Sequence, residues 1–110
     1  MRREDAIQDV VARLVEYYAP ERIYLIGSTA RGEERPDSDL DFVVVLPDDA
    51  PREKVIGGEI HQRLRGISAA VDVVPFRRST FEARATWLMS LPAIALREGK
   101  LEYDASAVTR

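Results

Sequence analysis

Three aspartates in the sequence have the type and spacing that metal-ion chemistry requires. Asp39 and Asp41 stand two positions apart at the start of an apolar run, and Asp72 interrupts a second apolar run. Side chains two apart on a strand lie on the same face, so the first two carboxylates would be close neighbours. Neighbouring carboxylates repel each other unless one is protonated or a cation lies between them, and oxygen ligands suit Mg²⁺. If the two runs form adjacent strands, Asp72 completes a three-carboxylate cluster that could hold two Mg²⁺ ions for phosphoryl or nucleotidyl transfer.

Each of these aspartates also has a simpler interpretation. An arbitrary Asp-x-Asp is more often an acidic turn that caps a short element, and Asp72 would then occupy an exposed strand edge. The segment Gly27–Gly32, which reads Gly-Ser-Thr-Ala-Arg-Gly, favours the functional interpretation. A glycine directly after a buried strand lets the backbone approach a ligand, Ser28 offers a hydroxyl and an N–H group, and Arg31 can pair with a phosphate. The segment matches neither the Rossmann glycine pattern nor the P-loop pattern.

Apolar periodicity predicts the elements that must position these residues. The stripe that begins at Ile7 and ends at Tyr18 has helical spacing and predicts a helix over residues 4–18. Runs of β-branched and aromatic residues predict three buried strands, over 22–26, 40–46 and 69–74. A fourth strand, over 101–103, is predicted at the edge of the sheet. Pro75 is expected to end the third strand.

Glycines, prolines and a capping pattern delimit the remaining helices. A helix is predicted over 52–65, although Gly57-Gly58 in its middle costs about 1 kcal/mol per glycine relative to alanine. The run Ser79–Glu82 matches the capping box and predicts a helix start at its first residue. Pro92 should interrupt or restart that helix, and Gly99 should stop it. The resulting order of elements predicts an α/β fold with a small sheet and flanking helices.

The composition excludes several classes of protein. A chain of 110 residues has room for one domain, and 45% apolar with 32% charged residues are typical of a globular protein. The absence of cysteine excludes disulfide scaffolds, zinc ribbons, iron–sulfur clusters and thiol nucleophiles, and it is consistent with a reducing, cytoplasmic setting. The longest apolar run, Phe42–Leu46, is far shorter than the roughly 20 residues of a membrane span, and the N-terminus lacks the apolar stretch of a signal peptide. We therefore expect a cytoplasmic protein that does not enter a membrane.

The charge distribution argues against a general nucleic-acid-binding protein. The net charge is −3, and residues 27–49 carry seven acids against two bases, a local charge of −5. Contacts with phosphate backbones need a basic surface, which this chain lacks.

The residues Gly27–Gly32, Ser38–Val43 and Val71–Val73 resemble the motifs of the minimal nucleotidyltransferase (MNT) group of DNA-polymerase-β-like nucleotidyltransferases. The pattern of that group is Gly-Ser-x-Ala-Arg-Gly, five residues, Ser-Asp-x-Asp, and later a carboxylate flanked by apolar residues. This chain matches at every motif position, with residues 33–37 as the five intervening ones. The resemblance covers essentially the whole chain, including an ending over 95–100 similar to the group's last helix and turn. It implies a single domain over 1–110 with a small mixed β-sheet flanked by helices.

The resemblance also implies roles for the three aspartates. Asp39 and Asp41 would bind the Mg²⁺ ions that hold a nucleoside triphosphate, with two ions expected. Asp72 would share the catalytic ion and help to deprotonate the acceptor hydroxyl. Mg²⁺ is therefore the expected cofactor and ATP the expected substrate.

Nucleotide binding would fall to the segment after the first strand. The resemblance implies that Gly27 and Ser28 contact the β- and γ-phosphates, with Arg31 assisting. Ser38 would orient Asp39 or cap its turn rather than contact the substrate.

The size of the chain bears on the acceptor. Larger relatives carry additional domains that bind the acceptor, and 110 residues leave no room for one. Minimal members of the group resemble antitoxins paired with HEPN-domain ribonuclease toxins, some of which they inactivate by placing AMP on a toxin tyrosine. The leading hypothesis is therefore Mg²⁺-dependent transfer of AMP from ATP to a hydroxyl on a HEPN-domain toxin.

Two alternatives remain open from the sequence. The protein could neutralise a toxin by binding alone, without catalysis. The presence of all three aspartates, Asp39, Asp41 and Asp72, argues against this alternative, because binding alone does not require them. It could also transfer a nucleotide to a small molecule or an RNA end at a site completed by a homodimer, with the acidic surface disfavouring RNA.

The remaining candidate side chains are expected to be structural. His61, the only histidine, is expected at a surface or partly packed position of its helix. Tyr17, Tyr18 and Trp87 are expected in the core or in partner contacts. Arg77-Arg78, just past the third strand, could lean over a triphosphate, but solvated surface is the favoured interpretation.

Overall fold

A computed structural model of the chain describes residues 3–27 and 39–108. Within these ranges the chain forms six helices and four strands. In chain order they are α1 (Arg3–Tyr18), β1 (Arg22–Ile26), β2 (Leu40–Leu46), α2 (Arg52–Ile56), α3 (Ile60–Arg63), β3 (Val71–Arg77), α4 (Arg78–Arg84), α5 (Leu91–Glu98), β4 (Lys100–Asp104) and α6 (Ala105–Val108).

The four strands form one mixed sheet in the order β3-β2-β1-β4. Strand β1 is antiparallel to both β2 and β4, whereas β2 and β3 are parallel. The predicted α/β fold with a small mixed sheet and flanking helices is therefore confirmed. The parallel pairing is possible because α2 and α3 provide the crossover that parallel neighbours need.

Helix α1 covers one face of the sheet. Its buried residues recur at helical spacing: Ala6, Ile7, Val10, Val11, Leu14, Tyr17 and Tyr18. They share one apolar cluster with alternate residues of β2, namely Leu40, Phe42, Val44 and Leu46. Full burial of each large apolar side chain is worth about 1.5–3 kcal/mol, so this layer is the main source of stability.

The other face of the sheet carries a smaller apolar cluster under α4 and α5. Val43 and Val45 of β2 are fully buried there with Tyr24 and Phe81, and the rings of the latter two stack 5.9 Å apart. Strand β2 is thus apolar on both faces, which explains its nearly continuous hydrophobic run. Asp41 has the same parity as Val43 and Val45, so it lies at the end of this second face.

The helix predicted over 52–65 is two short helices. Strand-like backbone at Gly57, with φ −79° and ψ 160°, ends α2, and α3 begins at Ile60. Two adjacent glycines make helical backbone too costly at this point. The expected single helix is wrong for this reason.

Pro75 does not end the third strand, which continues to Arg77. Strand β3 lies at the edge of the sheet and pairs only with β2, so the missing N–H of a proline is tolerated. The predicted end at residue 74 is therefore wrong.

The capping box predicted at Ser79 is also wrong. Helix α4 begins at Arg78 with Arg77 as its N-cap, and the side chain of Arg77 makes no capping hydrogen bond. The Ser79 N–H donates instead to Oδ1 of Asp48 at 2.8 Å. A carboxylate from the turn after β2 thus satisfies the donor that the local pattern assigned to a capping box.

The predictions for the last helix and strand are confirmed. Pro92 lies in the first turn of α5, where a missing N–H costs nothing, and the side chain of Ser90 accepts from the Ala93 N–H at 3.2 Å. Gly99 ends this helix, and β4 follows as an edge strand against β1. Within the described residues, no helix combines the length and apolar composition that a membrane span requires.

Candidate active site

The second residues of two parallel strands form the centre of the candidate site. Asp41 in β2 and Asp72 in β3 are direct partners in the strand register. Adjacent strands lie about 4.8 Å apart, and partners in register present their side chains on the same face. The condition set by the sequence, that the two apolar runs be neighbours, is therefore met. Ile26, the last residue of β1, faces Asp41 from the other side.

The electrostatics of this pair are unfavourable for two charged carboxylates. Burial raises the pKa of the Asp41 carboxyl above its ordinary value, and the charges of Asp72 and Asp39 raise that pKa further. A hydrogen bond with the carboxyl of Asp72 raises it as well, and such a bond requires a proton on one of the two groups. Both charged groups that act on Asp41 are acids. A cation at this point would therefore be attracted strongly.

Asp39 stands just before β2 and is exposed. Its carboxylate contributes to the raised pKa of Asp41, and its backbone carbonyl accepts a hydrogen bond from Nη2 of Arg3 at 3.3 Å. Across residues 3–27 and 39–108, no group of three or more histidine, aspartate and glutamate side chains is arranged to hold a metal ion. The structure thus brings Asp41 and Asp72 together, with Asp39 near enough to act on the charge of Asp41.

Gly27 follows β1 directly and brings the backbone against the Asp41 carboxylate. It has φ +86°, in the left-handed region that favours glycine. A β-carbon at this position would lie 3.0 Å from Oδ2 of Asp41. Two independent features therefore favour glycine at this position: the positive φ of the turn and the short distance to the Asp41 carboxylate. Ser28, Arg31 and Ser38 lie outside the described residues.

An open cavity of about 410 Å³ adjoins the two carboxylates. This volume lies within the range of small-molecule sites. Its lining combines a few polar groups with an apolar wall: Ile26, Asp41, Phe42, His61, Asp72, Val73, Val74 and Leu91. The lining suits a ligand with an apolar part and a polar part that reaches the acids.

His61 lines this cavity, although it was ranked low in the sequence. It is exposed on α3, as expected, but α3 stands where its imidazole borders the same space as Asp41 and Asp72. No local signal could have shown this, because the placement depends on how the crossover between β2 and β3 packs.

A second cavity of about 510 Å³ lies at the other end of β1. Its charged groups already have partners: Arg78 pairs with Glu21 at 2.5 Å, and Asp104 accepts from the Ser106 N–H at 3.0 Å. Nη1 of Arg22 donates to the Tyr24 hydroxyl at 2.7 Å. The charged groups of this cavity include both acids and bases, whereas the other cavity is lined by two neighbouring acids, so the acidic cavity is the better candidate.

The remaining candidates have structural positions. Tyr17 and Tyr18 are buried in the core with their rings 4.8 Å apart in an edge arrangement. Arg77 donates to the Ala50 carbonyl at 2.9 Å, and Arg78 pairs with acids at the end of the sheet opposite to Asp41. These arginines therefore tie α4 to the turn after β2 and do not reach the candidate site.

Comparison with known proteins agrees with this geometry. The chain matches the family model of the nucleotidyltransferase domain over residues 7–94. A protein classed as a nucleotidyltransferase from Sulfolobus solfataricus has a similar structure, with a TM-score of 0.62, 17% identity and coverage of 93% of this chain and 80% of that chain. A chain of a toxin–antitoxin crystallised with AMP-PNP superposes with a TM-score of 0.59, 23% identity and coverage of 88% and 73%.

At these identities the two solved structures demonstrate a shared fold. No curated protein matches the chain significantly. The family model spans most of the sequence, including both strands that carry Asp41 and Asp72. This chain is a member of the nucleotidyltransferase domain family.

Proposed function

We propose that this chain is a Mg²⁺-dependent nucleotidyltransferase that moves AMP from ATP to a hydroxyl on a partner protein. The partner would be a HEPN-domain toxin with a tyrosine as acceptor, and the chain would act as its antitoxin. Asp41 and Asp72 carry this proposal, because two carboxylates held in register beneath a glycine turn are suited to triphosphate chemistry. The toxin–antitoxin neighbour crystallised with AMP-PNP supports the choice of an adenine nucleotide and a protein partner.

The donor set at the site is compatible with Mg²⁺. Asp41 and Asp72 supply only oxygen ligands, which hard cations prefer, and the charges of Asp72 and Asp39 add to the effect of burial in raising the pKa of Asp41. These two carboxylates would hold the ion, and Asp39 would add its charge from the start of β2. Bound Mg²⁺ would neutralise the phosphates and lower the pKa of the acceptor hydroxyl.

The proposed reaction is an in-line displacement. The acceptor oxygen forms a bond to the α-phosphorus of ATP, the bond from that phosphorus to the bridging oxygen breaks, and pyrophosphate leaves. The hydroxyl proton passes to the carboxylate of Asp72, which acts as the general base. Gly27 would let backbone N–H groups approach the β- and γ-phosphates, with Ser28 and Arg31 as further phosphate contacts.

A second function is favoured by one observation. Within the described ranges the acids do not form a three-membered metal-binding group, so neutralisation of the toxin by binding alone is a competing proposal. The two proposals differ in their demand on Asp41 and Asp72, because occlusion of a toxin requires no nucleotide and no Mg²⁺.

Transfer of label from ATP tests the proposed function. The purified chain is incubated with Mg²⁺, α-labelled ATP and a purified HEPN-domain toxin as the acceptor. Label on the partner, an intact-mass increase of one or more adenylyl groups and loss of both in Asp41→Asn and Asp72→Asn are expected. Asp49→Asn, an exposed acid at the other end of β2, is the matched control.

Two results would contradict transfer to the partner. Label absent from the partner while Asp41→Asn still protects cells from the toxin would establish neutralisation by binding. Label on a small molecule or an RNA end instead would identify a different acceptor class, which the mass of the product would reveal.

A further inference from the structure

The turn between α4 and α5 exposes three consecutive apolar residues. Trp87, Leu88 and Met89 have 59%, 75% and 76% of their surface exposed, and we call them the apolar turn. Tryptophan and methionine are enriched in protein interfaces, and an exposed run of large apolar residues marks an interaction surface.

The apolar turn is held in a defined shape. The Trp87 N–H donates to the Arg84 carbonyl at 2.9 Å, and the Ser90 N–H donates to the Trp87 carbonyl at 3.0 Å. Nη1 of Arg97, from α5, donates to the Leu88 carbonyl at 3.4 Å. A surface already ordered before association loses less conformational entropy on binding.

Arginines flank this apolar turn. The Arg84 guanidinium lies 5.7 Å from the centre of the Trp87 ring, and within the part of the chain that the structure describes no carboxylate forms an ion pair with it. Arg97 reaches the turn from the other side, and its guanidinium also lies 3.5 Å from the Glu98 carboxylate. The surface is therefore apolar at its centre, and the charge of Arg84 at its rim is not offset by an ion pair within the described residues.

This charge pattern distinguishes between occupants. In a symmetric dimer the same patch meets itself, so the Arg84 guanidinium of one copy would approach that of the other. Like charges across an interface are strongly unfavourable. A second copy is therefore a poor occupant, whereas an apolar surface with an acidic rim is complementary.

The position of the apolar turn relates it to the candidate active site. Leu91, three residues after Leu88, lines the cavity that contains Asp41 and Asp72. Three residues span at most about 11 Å of chain. A protein docked on the turn would therefore stand beside the mouth of the cavity.

We propose that the apolar turn is the docking surface for the acceptor protein and binds an apolar, acid-rimmed segment of it next to the cavity. The inference rests on the proposed function for its second part, the delivery of a hydroxyl to the nucleotide. Its first part, the docking itself, is independent of catalysis.

Binding and transfer are measured separately to test the docking surface. The probe is the same purified HEPN-domain toxin, and the variants are Leu88→Asp, Met89→Asp and Arg84→Glu. Ile56→Asp is the control, because Ile56 is 66% exposed and lies on α2, away from the turn. Partner affinity, ATP affinity and melting temperature are recorded for each protein.

The three turn variants are expected to bind the probe at least about tenfold more weakly than wild type, as truncated interface anchors do. ATP affinity and melting temperature should stay unchanged, and the control should bind normally. If the turn variants lose probe binding while wild type binds the probe but transfers no label to it, the docking surface is supported and the catalytic proposal is refuted.

Three outcomes would overturn the docking surface. In the first, Leu88→Asp binds the probe as tightly as wild type. In the second, wild type binds ATP but not the probe, and this outcome leaves the proposal of nucleotide binding intact. A wild-type dimer that Leu88→Asp dissociates would identify a second copy as the occupant instead.

Discussion

Gly27 and Asp41 approach so closely that a β-carbon on the glycine would lie 3.0 Å from Oδ2 of the aspartate. The glycine follows β1 and the aspartate is the second residue of β2, so this contact fixes the turn that leaves one strand relative to an acid near the start of the next. Real β-carbons almost never come closer to a neighbouring atom, so a side chain here would displace the carboxylate. The geometry of the acid therefore depends on a residue that has no side chain.

We expect Gly27→Ala to impair nucleotide binding and transfer beyond its effect on stability. A positive φ costs a non-glycine residue about 1–2 kcal/mol, and the new methyl group would also displace the Asp41 carboxylate. Calorimetric ATP affinity in Mg²⁺ and label transfer are the measurements. Both should fall by about tenfold, because the Asp41 carboxylate would have to move by a few tenths of an ångström and rates are sensitive to the placement of reacting groups.

Gly66 provides the matched control for this prediction. It has φ +89°, and a β-carbon there would meet nothing within 4 Å. Gly66→Ala should therefore lower the free energy of unfolding by a similar 1–2 kcal/mol, approximately the cost of the backbone alone, while ATP affinity is retained. Equal losses of ATP affinity in the two variants would mean that the Gly27–Asp41 contact has no special role.

Asp41→Asn should raise the stability of the metal-free protein and lower its transfer activity. Burial and the nearby acids raise the pKa of Asp41, so its charge is unfavourable in the metal-free protein. Removing that charge should raise the melting temperature without Mg²⁺, whereas transfer should fall about a hundredfold or more. Differential scanning fluorimetry with and without Mg²⁺ and ATP measures the first effect.

Mg²⁺ with ATP should stabilise wild type and Asp49→Asn but not Asp41→Asn, because only a folded protein with an intact site gains stability from the ligand. If Asp41→Asn lowered the melting temperature of the metal-free protein, the carboxylate would be serving the fold rather than a ligand. An unchanged Mg²⁺ response in that variant would lead to the same conclusion.

His61 is expected to contact the substrate from the cavity wall. It is exposed, so its replacement should leave the melting temperature unchanged. A lost hydrogen bond to a charged group is worth about 1.5–3 kcal/mol, or roughly tenfold and more in rate. We expect His61→Ala to slow label transfer by that factor and His61→Gln, which keeps a donor, to recover part of it. Wild-type kinetics in both variants would place His61 outside the reaction.

The sequence predicted the elements of the site better than their assembly. The periodicity of α1 and the apolar run of β2 are local signals, and both elements formed where they were expected. Whether Asp72 would stand beside Asp41 was conditional, because parallel pairing of β2 and β3 depends on a crossover of more than twenty residues that no local pattern encodes. The cavity position of His61 depends on that same crossover.

Two of the wrong predictions have the same origin. Ser79 had a suitable capping sequence, but a carboxylate 31 positions earlier accepts its N–H and removes the need for a capping box. Pro75 looked like a strand end, but the edge position of β3 tolerates it. In each case a tertiary contact or a place in the sheet overrode a local preference.

The contact between Asp48 and Ser79 predicts a pH dependence of stability. The Ser79 backbone N–H lowers the pKa of Asp48 below its ordinary value, with further contributions from the Ser79 side chain and Arg78. A carboxyl whose pKa is lower in the folded protein stabilises the fold above its unfolded pKa of about 3.9, and this contribution is lost as the pH falls through the folded value. Asp48→Asn should therefore have a lower melting temperature than wild type at neutral pH.

The difference in melting temperature should be constant between about pH 5 and 8 and should shrink below about pH 4, where wild type also loses the charge. Thermal unfolding followed by circular dichroism at a series of pH values measures it. Asp49→Asn, the neighbouring exposed acid, controls for a change of net charge in this turn. A gap that persisted unchanged to pH 2 would contradict this prediction. It would show that the stabilising contribution of Asp48 does not depend on its charge.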